Sequence, residues 1–124
     1  MGKIVRSHLT EDLLKPKYRG STIPAYGHCY VASEALWWLL DGSWEPWYGY
    51  DRDGATHWWL RKPTGIILDP TAVQYTSRGV RPPYNRMARR AAFMTKEPSK
   101  RAKVLMKRLR PDISKIKETL NHIV

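Results

Sequence analysis

All six tryptophans of this 124-residue chain fall between residues 37 and 59, and that crowding constrains its fold more than any other feature. Rings of that size bury themselves against one another or against a helix, so the middle of the chain must carry a core of its own. The patterns for one are present. From His28 to Leu40 the apolar residues Ala32, Ala35, Leu36, Leu39 and Leu40 recur at spacings of three and four, which predicts a helix stopped by Asp41-Gly42. Two aromatic runs, Trp44 to Tyr50 and Thr56 to Lys62, follow as strands joined by Asp51-Arg-Asp-Gly54, a hairpin-type turn. Pro63-Thr-Gly65 then leads into a short apolar strand, Ile66 to Asp69, closed by Pro70. Alternation places His57 and Trp59 on one face of their strand and Trp58 on the other. Trp37, Trp44, Trp47, Trp58 and Tyr48 line either the core or the mouth of a cleft; a stacking platform for a base or an aromatic substrate is the sharper of the two readings.

The flanks differ from this middle. Residues 1–25 combine a short helix candidate at Thr10 to Lys15 with the loop signals Pro16, Gly20, Ser21 and Pro24, a lead-in that wraps the domain. Residues 76–83 have no periodicity. After them come three helix candidates, Tyr84 to Met94, Ser99 to Leu109 and Ile113 to Ile123, separated by Pro98 and Pro111. Ala102, Leu105, Met106 and Leu109 form the apolar stripe of the second, and Ile113, Ile116, Leu120 and Ile123 that of the third. The expected fold is therefore α+β in a single domain: a Cys-bearing helix packed on a small antiparallel sheet, residues 26–75 as a catalytic-type core, and residues 76–124 as a basic helical extension.

The net charge of +11 is confined to that extension. Residues 1–75 hold eight Lys/Arg and eight Asp/Glu, whereas residues 76–124 hold fourteen and three. Arg78, Arg81, Arg86, Arg89, Arg90, Lys100, Lys103 and Lys107 are the candidates for contact with a nucleic acid, an acidic protein or a nucleotide-bearing substrate. The plainer reading of the same residues is a set of solvated helix faces. No zinc-finger, RNP-type or helix-turn-helix pattern accompanies them, so binding through this face would be electrostatic, shape-tolerant and salt-dependent.

The chemistry-bearing residues lie in the neutral core. The only cysteine, Cys29, sits in Tyr26-Gly-His-Cys29-Tyr30, immediately before the predicted helix. Unpaired backbone N–H groups and the macrodipole at a helix N-terminus favour a thiolate there. A lone cysteine is more often a small buried hydrophobe, and to act it needs a base and an orienting group. His57 starts one strand and Asp69 ends the next, so an antiparallel pair sets them side by side; the carboxylate can hold one ring nitrogen while the other takes the thiol proton. Tyr26, His28, Tyr30 and Trp59 are placed to touch a substrate. Four scattered histidines and one cysteine lack the spacing of a structural metal site, and the chemistry needs no cofactor.

The run His57-Trp-Trp-Leu, followed by Gly65-Ile-Ile-Leu-Asp69-Pro70-Thr71, is similar to the transglutaminase-like pattern of His-x-Trp, then Gly-Trp, two residues and Asp-Pro-Thr. Gly27-His-Cys29-Tyr30 at the head of a helix looks like the Gly-x-Cys segment of the same superfamily, which is related to papain-like enzymes. The resemblance covers residues 26–75 and implies Cys29 as nucleophile, His57 as general base and acid, and Asp69 as the orienting carboxylate. It implies acyl transfer, or amide or ester hydrolysis, through a thioester. The separations between the three residues are short for such domains, and no Gln stands a few residues before Cys29 to donate to an oxyanion. That role would fall to the Cys29 N–H and to Tyr26, His28 or Thr22.

The chain also has the look of small bacteriophage proteins. A single cysteine and the lack of an apolar N-terminal run lead us to expect a reduced, cytoplasmic protein without a membrane anchor, in the host cytoplasm if phage-encoded. The alternative function is non-catalytic: a nucleic-acid-binding or host-protein-binding module on a degenerate transglutaminase-like fold.

Overall fold

The computed structural model describes residues 2–14, 28–93 and 96–123. Helix α1 spans Gly2–Ser7, α2 Cys29–Leu39, α3 Val73–Thr76, α4 Lys100–Leu109 and α5 Ile113–Ile123; strands β1 Glu45–Tyr50, β2 Thr56–Arg61, β3 Ile67–Leu68 and β4 Arg89–Arg90 make one antiparallel sheet in the order β3-β2-β1-β4. The protein is α+β.

Helix α2 ends where Asp41-Gly42 predicts. Asp41 and Gly42 both take positive φ, 58° and 68°. The Asp41 N–H donates to the Trp38 carbonyl and the Gly42 N–H to the Trp37 carbonyl, at 3.1 and 2.9 Å, a Schellman closure. The β1–β2 hairpin closes on Asp51, whose Oδ1 accepts the N–H groups of Asp53 and Ala55, both at 2.9 Å. This turn sets the register Gly49↔His57, Tyr48↔Trp58 and Trp47↔Trp59.

That register sorts the two faces of the sheet. Leu60 and Leu68 join Trp44, Val31, Ala32, Ala35 and Leu36 in a core continued by Ala102, Leu105, Met106 and Leu109 of α4 and by Ile116 and Leu120 of α5. His57 and Trp59 lie on the opposite face, as the alternation requires, and both are buried. Residues 70–84 cover them. Pro83 crosses directly over Gly49, where a Cβ would come within 2.9 Å of the Pro83 carbonyl oxygen, so β1 needs glycine at that point to let the covering segment close.

The helix expected over Tyr84 to Met94 is absent from its described part. That stretch contains a turn at 85–88, and then Arg89 and Arg90 pair with Tyr48 and Trp47, followed by an Ala91 N–H to Pro46 carbonyl bond of 2.9 Å. The backbone groups of β1 that do not face β2 would otherwise stay unpaired, and Pro82-Pro83 delivers an extended chain to them. The single-turn helix α3 and the N-terminal α1, which buries Val5, were not legible in the periodicity.

The boundary at residue 75 is one of charge and not of packing. Tyr84 and β4 complete the sheet layer, and α4 packs along α2. Fully buried Glu34 of α2 accepts the Ser99 N–H at 2.8 Å and the Ser99 hydroxyl at 2.7 Å, anchoring the start of α4, while Ser99 Oγ in turn caps the helix by accepting the Ala102 N–H. Among the described residues no helix is long and apolar enough to cross a membrane.

Candidate active site

Asp69 is built into its place by the residues that follow it. Its Oδ1 accepts the Thr71 N–H at 3.1 Å and the Thr71 hydroxyl at 3.3 Å, the local turn that an Asp-Pro-Thr sequence favours. This leaves Oδ2 for His57, whose Nε2 lies 2.6 Å away, and for the Tyr84 hydroxyl, which donates to the same oxygen. The His57 ring is wholly buried. Trp59 stacks on it with centroids 5.7 Å apart, and Tyr75 meets it edge-on at 4.7 Å.

Burial alone would push His57 toward its neutral form. The hydrogen bond to Asp69 and the interaction with the Cys29 side chain act the other way and prevail, and the His57 pKa is pushed up to about 9. Burial, followed by the hydrogen bond to Asp51, raises Tyr75 above the ordinary phenol range; burial and Asp69 do the same to Tyr84. Both phenols therefore keep their protons and serve as donors, Tyr75 to Asp51 at 3.0 Å.

The raised His57 pKa makes a stability prediction. The folded-state value lies above the unfolded one of about 6.5, so the contribution is complete below pH 6.5 and is lost as pH rises through 9. Urea unfolding measured at pH 6 and at pH 9.5 should differ by up to about 3 kcal/mol, with the protein weaker at the higher pH. His57→Gln should remove most of that slope; a slope left intact in the variant would assign it to another group.

Cys29 occupies the first position of α2 and is buried. Its thiol donates to the Thr56 carbonyl, one residue before His57, at 3.8 Å. The His57 nitrogen not held by Asp69 faces the side-chain amide of Gln74, with Nδ1 and Nε2 2.7 Å apart. Cys29 and His57 thus each hold a further group, the Thr56 carbonyl and the Gln74 amide.

The candidate substrate-contacting residues go to different places. Tyr30 is half-buried and edge-on to Trp58 and Phe93, at 5.0 and 5.5 Å. Trp59 is a buried wall of the His57 pocket, and His28 is buried with its Nε2 on the Thr10 carbonyl at 3.0 Å, facing the N-terminal segment. Tyr26 and Thr22 lie outside the described residues. Of the aromatic crowd, Trp44 and Trp59 are buried, and Trp58, half-buried, is held between Tyr48 and Phe93. Gln74, Tyr75 and Tyr84 are the site residues that sequence reasoning missed.

All eight candidate anion-binding residues, Arg78, Arg81, Arg86, Arg89, Arg90, Lys100, Lys103 and Lys107, are exposed. Some also carry internal contacts: Arg90 pairs with Glu45 at 3.1 Å, Lys103 with Glu97 at 3.5 Å, and the Arg78 guanidinium lies over the Tyr75 ring. Among the described residues no group of three or more His, Cys, Asp or Glu could hold a metal ion.

Set against protein-family models, curated proteins and solved structures, the chain matches none of them.

Proposed function

We propose that this protein is a cysteine acyltransferase or hydrolase of transglutaminase-like type, in which Cys29 carries the acyl group. The observation that carries the reading is the buried Asp69–His57 pair at 2.6 Å beside a cysteine at a helix N-terminus. Cys29 from α2, His57 from β2 and Asp69 just beyond β3 offer a thiol, an imidazole and a carboxylate for the roles of nucleophile, base and orienting group.

As the Gln74 amide gives up His57 Nδ1, the thiol proton passes to that nitrogen, leaving a thiolate stabilised by the imidazolium and the helix N-terminus. The thiolate attacks the acyl carbonyl, and the imidazolium gives its proton to the departing group as the carbon–leaving-group bond breaks. A thioester on Cys29 remains. Water or an amine, deprotonated by His57, then attacks the thioester and releases the thiol. Asp69 holds Nε2 throughout and stabilises the charged ring, as in other nucleophile–His–carboxylate sites.

The exposed basic residues favour an anionic partner or substrate for the same protein, recruited by charge and lost as salt rises. Reduced protein incubated with aryl esters and small thioesters should gain the mass of one acyl group on Cys29, reversed by hydroxylamine. Absence of an adduct from every donor, together with salt-sensitive binding of a polyanion that survives Cys29→Ala, would instead support the non-catalytic binding module.

A further inference from the structure

Gln74 has no motif to announce it, yet its amide lies on the one atom of His57 that the proposed chemistry uses. The side chain is buried. Its backbone is fixed from both sides: the Gln74 N–H donates to the Thr71 carbonyl at 3.1 Å, and the Gln74 carbonyl accepts from Arg78 Nε at 2.9 Å. Thr71 also holds Asp69, so one short stretch, Asp69 to Gln74, delivers a partner to each nitrogen of the ring. With Trp59 stacked against the ring and Tyr75 at its edge, His57 is constrained in its plane and across it.

A primary amide is unusual among such partners because it presents either a donor or an acceptor. A neutral ring whose Nε2–H is given to Asp69 offers a lone pair at Nδ1, to which the Gln74 amide N–H donates. A protonated ring offers N–H at Nδ1, which the Gln74 carbonyl oxygen accepts after the amide turns over. A carboxylate could serve only the charged ring, and a hydrocarbon neither.

We propose that Gln74 is a positioning residue for His57: in either protonation state its amide holds Nδ1 and so fixes the tautomer and plane of the ring between transfers, and it yields that nitrogen when the Cys29 proton moves. The inference rests on the acyl-transfer reading for its purpose, though not for its contact. The other titratable groups facing the ring are Asp69, Cys29 and Tyr75, with Tyr84 acting through Asp69 and Asp51 through Tyr75.

The test uses the full chain and two substitutions, Gln74→Met, which keeps length and apolar volume, and Gln74→Glu, which keeps only an acceptor. The His57 ring is followed by NMR titration, and Cys29 by its rate of alkylation with iodoacetamide. In Gln74→Glu the His57 midpoint should move up by about one pH unit, because only the charged ring is now bonded at Nδ1. In Gln74→Met the ring should lose its single fixed tautomer, and alkylation at pH 7 should slow about tenfold. An unmoved midpoint in the first variant and an unchanged tautomer in the second would overturn the proposal. Faster alkylation in Gln74→Met would also overturn it, by showing that the amide blocks the base and does not aim it. Failure of the acyl-transfer reading shows differently: wild-type Cys29 would form no acyl adduct while the two His57 titrations still differed.

Discussion

Replacing His57 by glutamine is expected to slow iodoacetamide alkylation of Cys29 at pH 6 by about 100-fold. The magnitude comes from the thiolate fraction. An ordinary thiol with pKa about 8.5 is only about 0.3% ionised at pH 6, so a nucleophile that depends on a neighbouring imidazolium loses most of its reactive form when that cation is removed. The helix N-terminus keeps part of the effect in the variant and sets the loss below its upper limit. Glutamine retains an amide that can bond Asp69, so the pocket is not left with an unpaired carboxylate. Stopped-flow or mass-spectrometric rates for the two proteins, with matching near-ultraviolet circular dichroism as a check on folding, decide it. Equal rates would remove His57 from the account of Cys29.

The second large effect concerns stability. Glu34→Ala is expected to lower the free energy of unfolding by about 3 kcal/mol. Glu34 is fully buried, and both its oxygens are used, one on the Ser99 N–H and one on the Ser99 hydroxyl, so its removal leaves two half-buried donors without that acceptor and opens a void between α2 and α4. It also removes a negative charge from the N-terminus of α4. Glu34→Gln preserves the volume and one acceptor oxygen, and should cost about half as much. Urea midpoints at pH 7 test both; a Glu34→Ala protein within 1 kcal/mol of wild type, on the scale of an ordinary surface change, would mean that α4 is not held by this contact. The loss is large against the roughly 5–15 kcal/mol typical of a domain.

Much of the central layer is legible in the sequence, for reasons that can be named. The three-and-four spacing of Ala32, Ala35 and Leu36 and the Asp41-Gly42 stop define α2, and Asp51 to Gly54 defines the hairpin that sets Gly49 opposite His57. The pairing of His57 with Asp69 follows from two adjacent antiparallel strands and a turn, all within thirteen residues. What is not legible depends on chain folding back over the sheet. Gln74 and Tyr84 reach the site because residues 70–84 cross the His57 face, and nothing in their local spacing encodes that path. The edge strand Arg89–Arg90 is two residues long and exposed, so it has neither alternation nor β-branched residues to mark it. Glu34 reads as an ordinary helix residue until Ser99, sixty-five positions away, is brought against it. The basic residues can be counted in the sequence, but not what they meet: Arg108 pairs with Asp12 at 2.8 Å and Arg90 with Glu45, ion pairs that reach the surface.

The pairing of Cys29 with His57 is the claim on which the functional account stands, and the pH dependence of Cys29 alkylation in the wild-type protein tests it most directly. Because Cys29 is the only cysteine, every alkylation event reports on it. The account predicts that His57→Gln changes the shape of that pH profile as well as its height, slowing Cys29 most at the lowest pH measured. A wild-type rate that climbs about tenfold per pH unit and levels off only above about 8.5, the behaviour of an unassisted thiol, would contradict it.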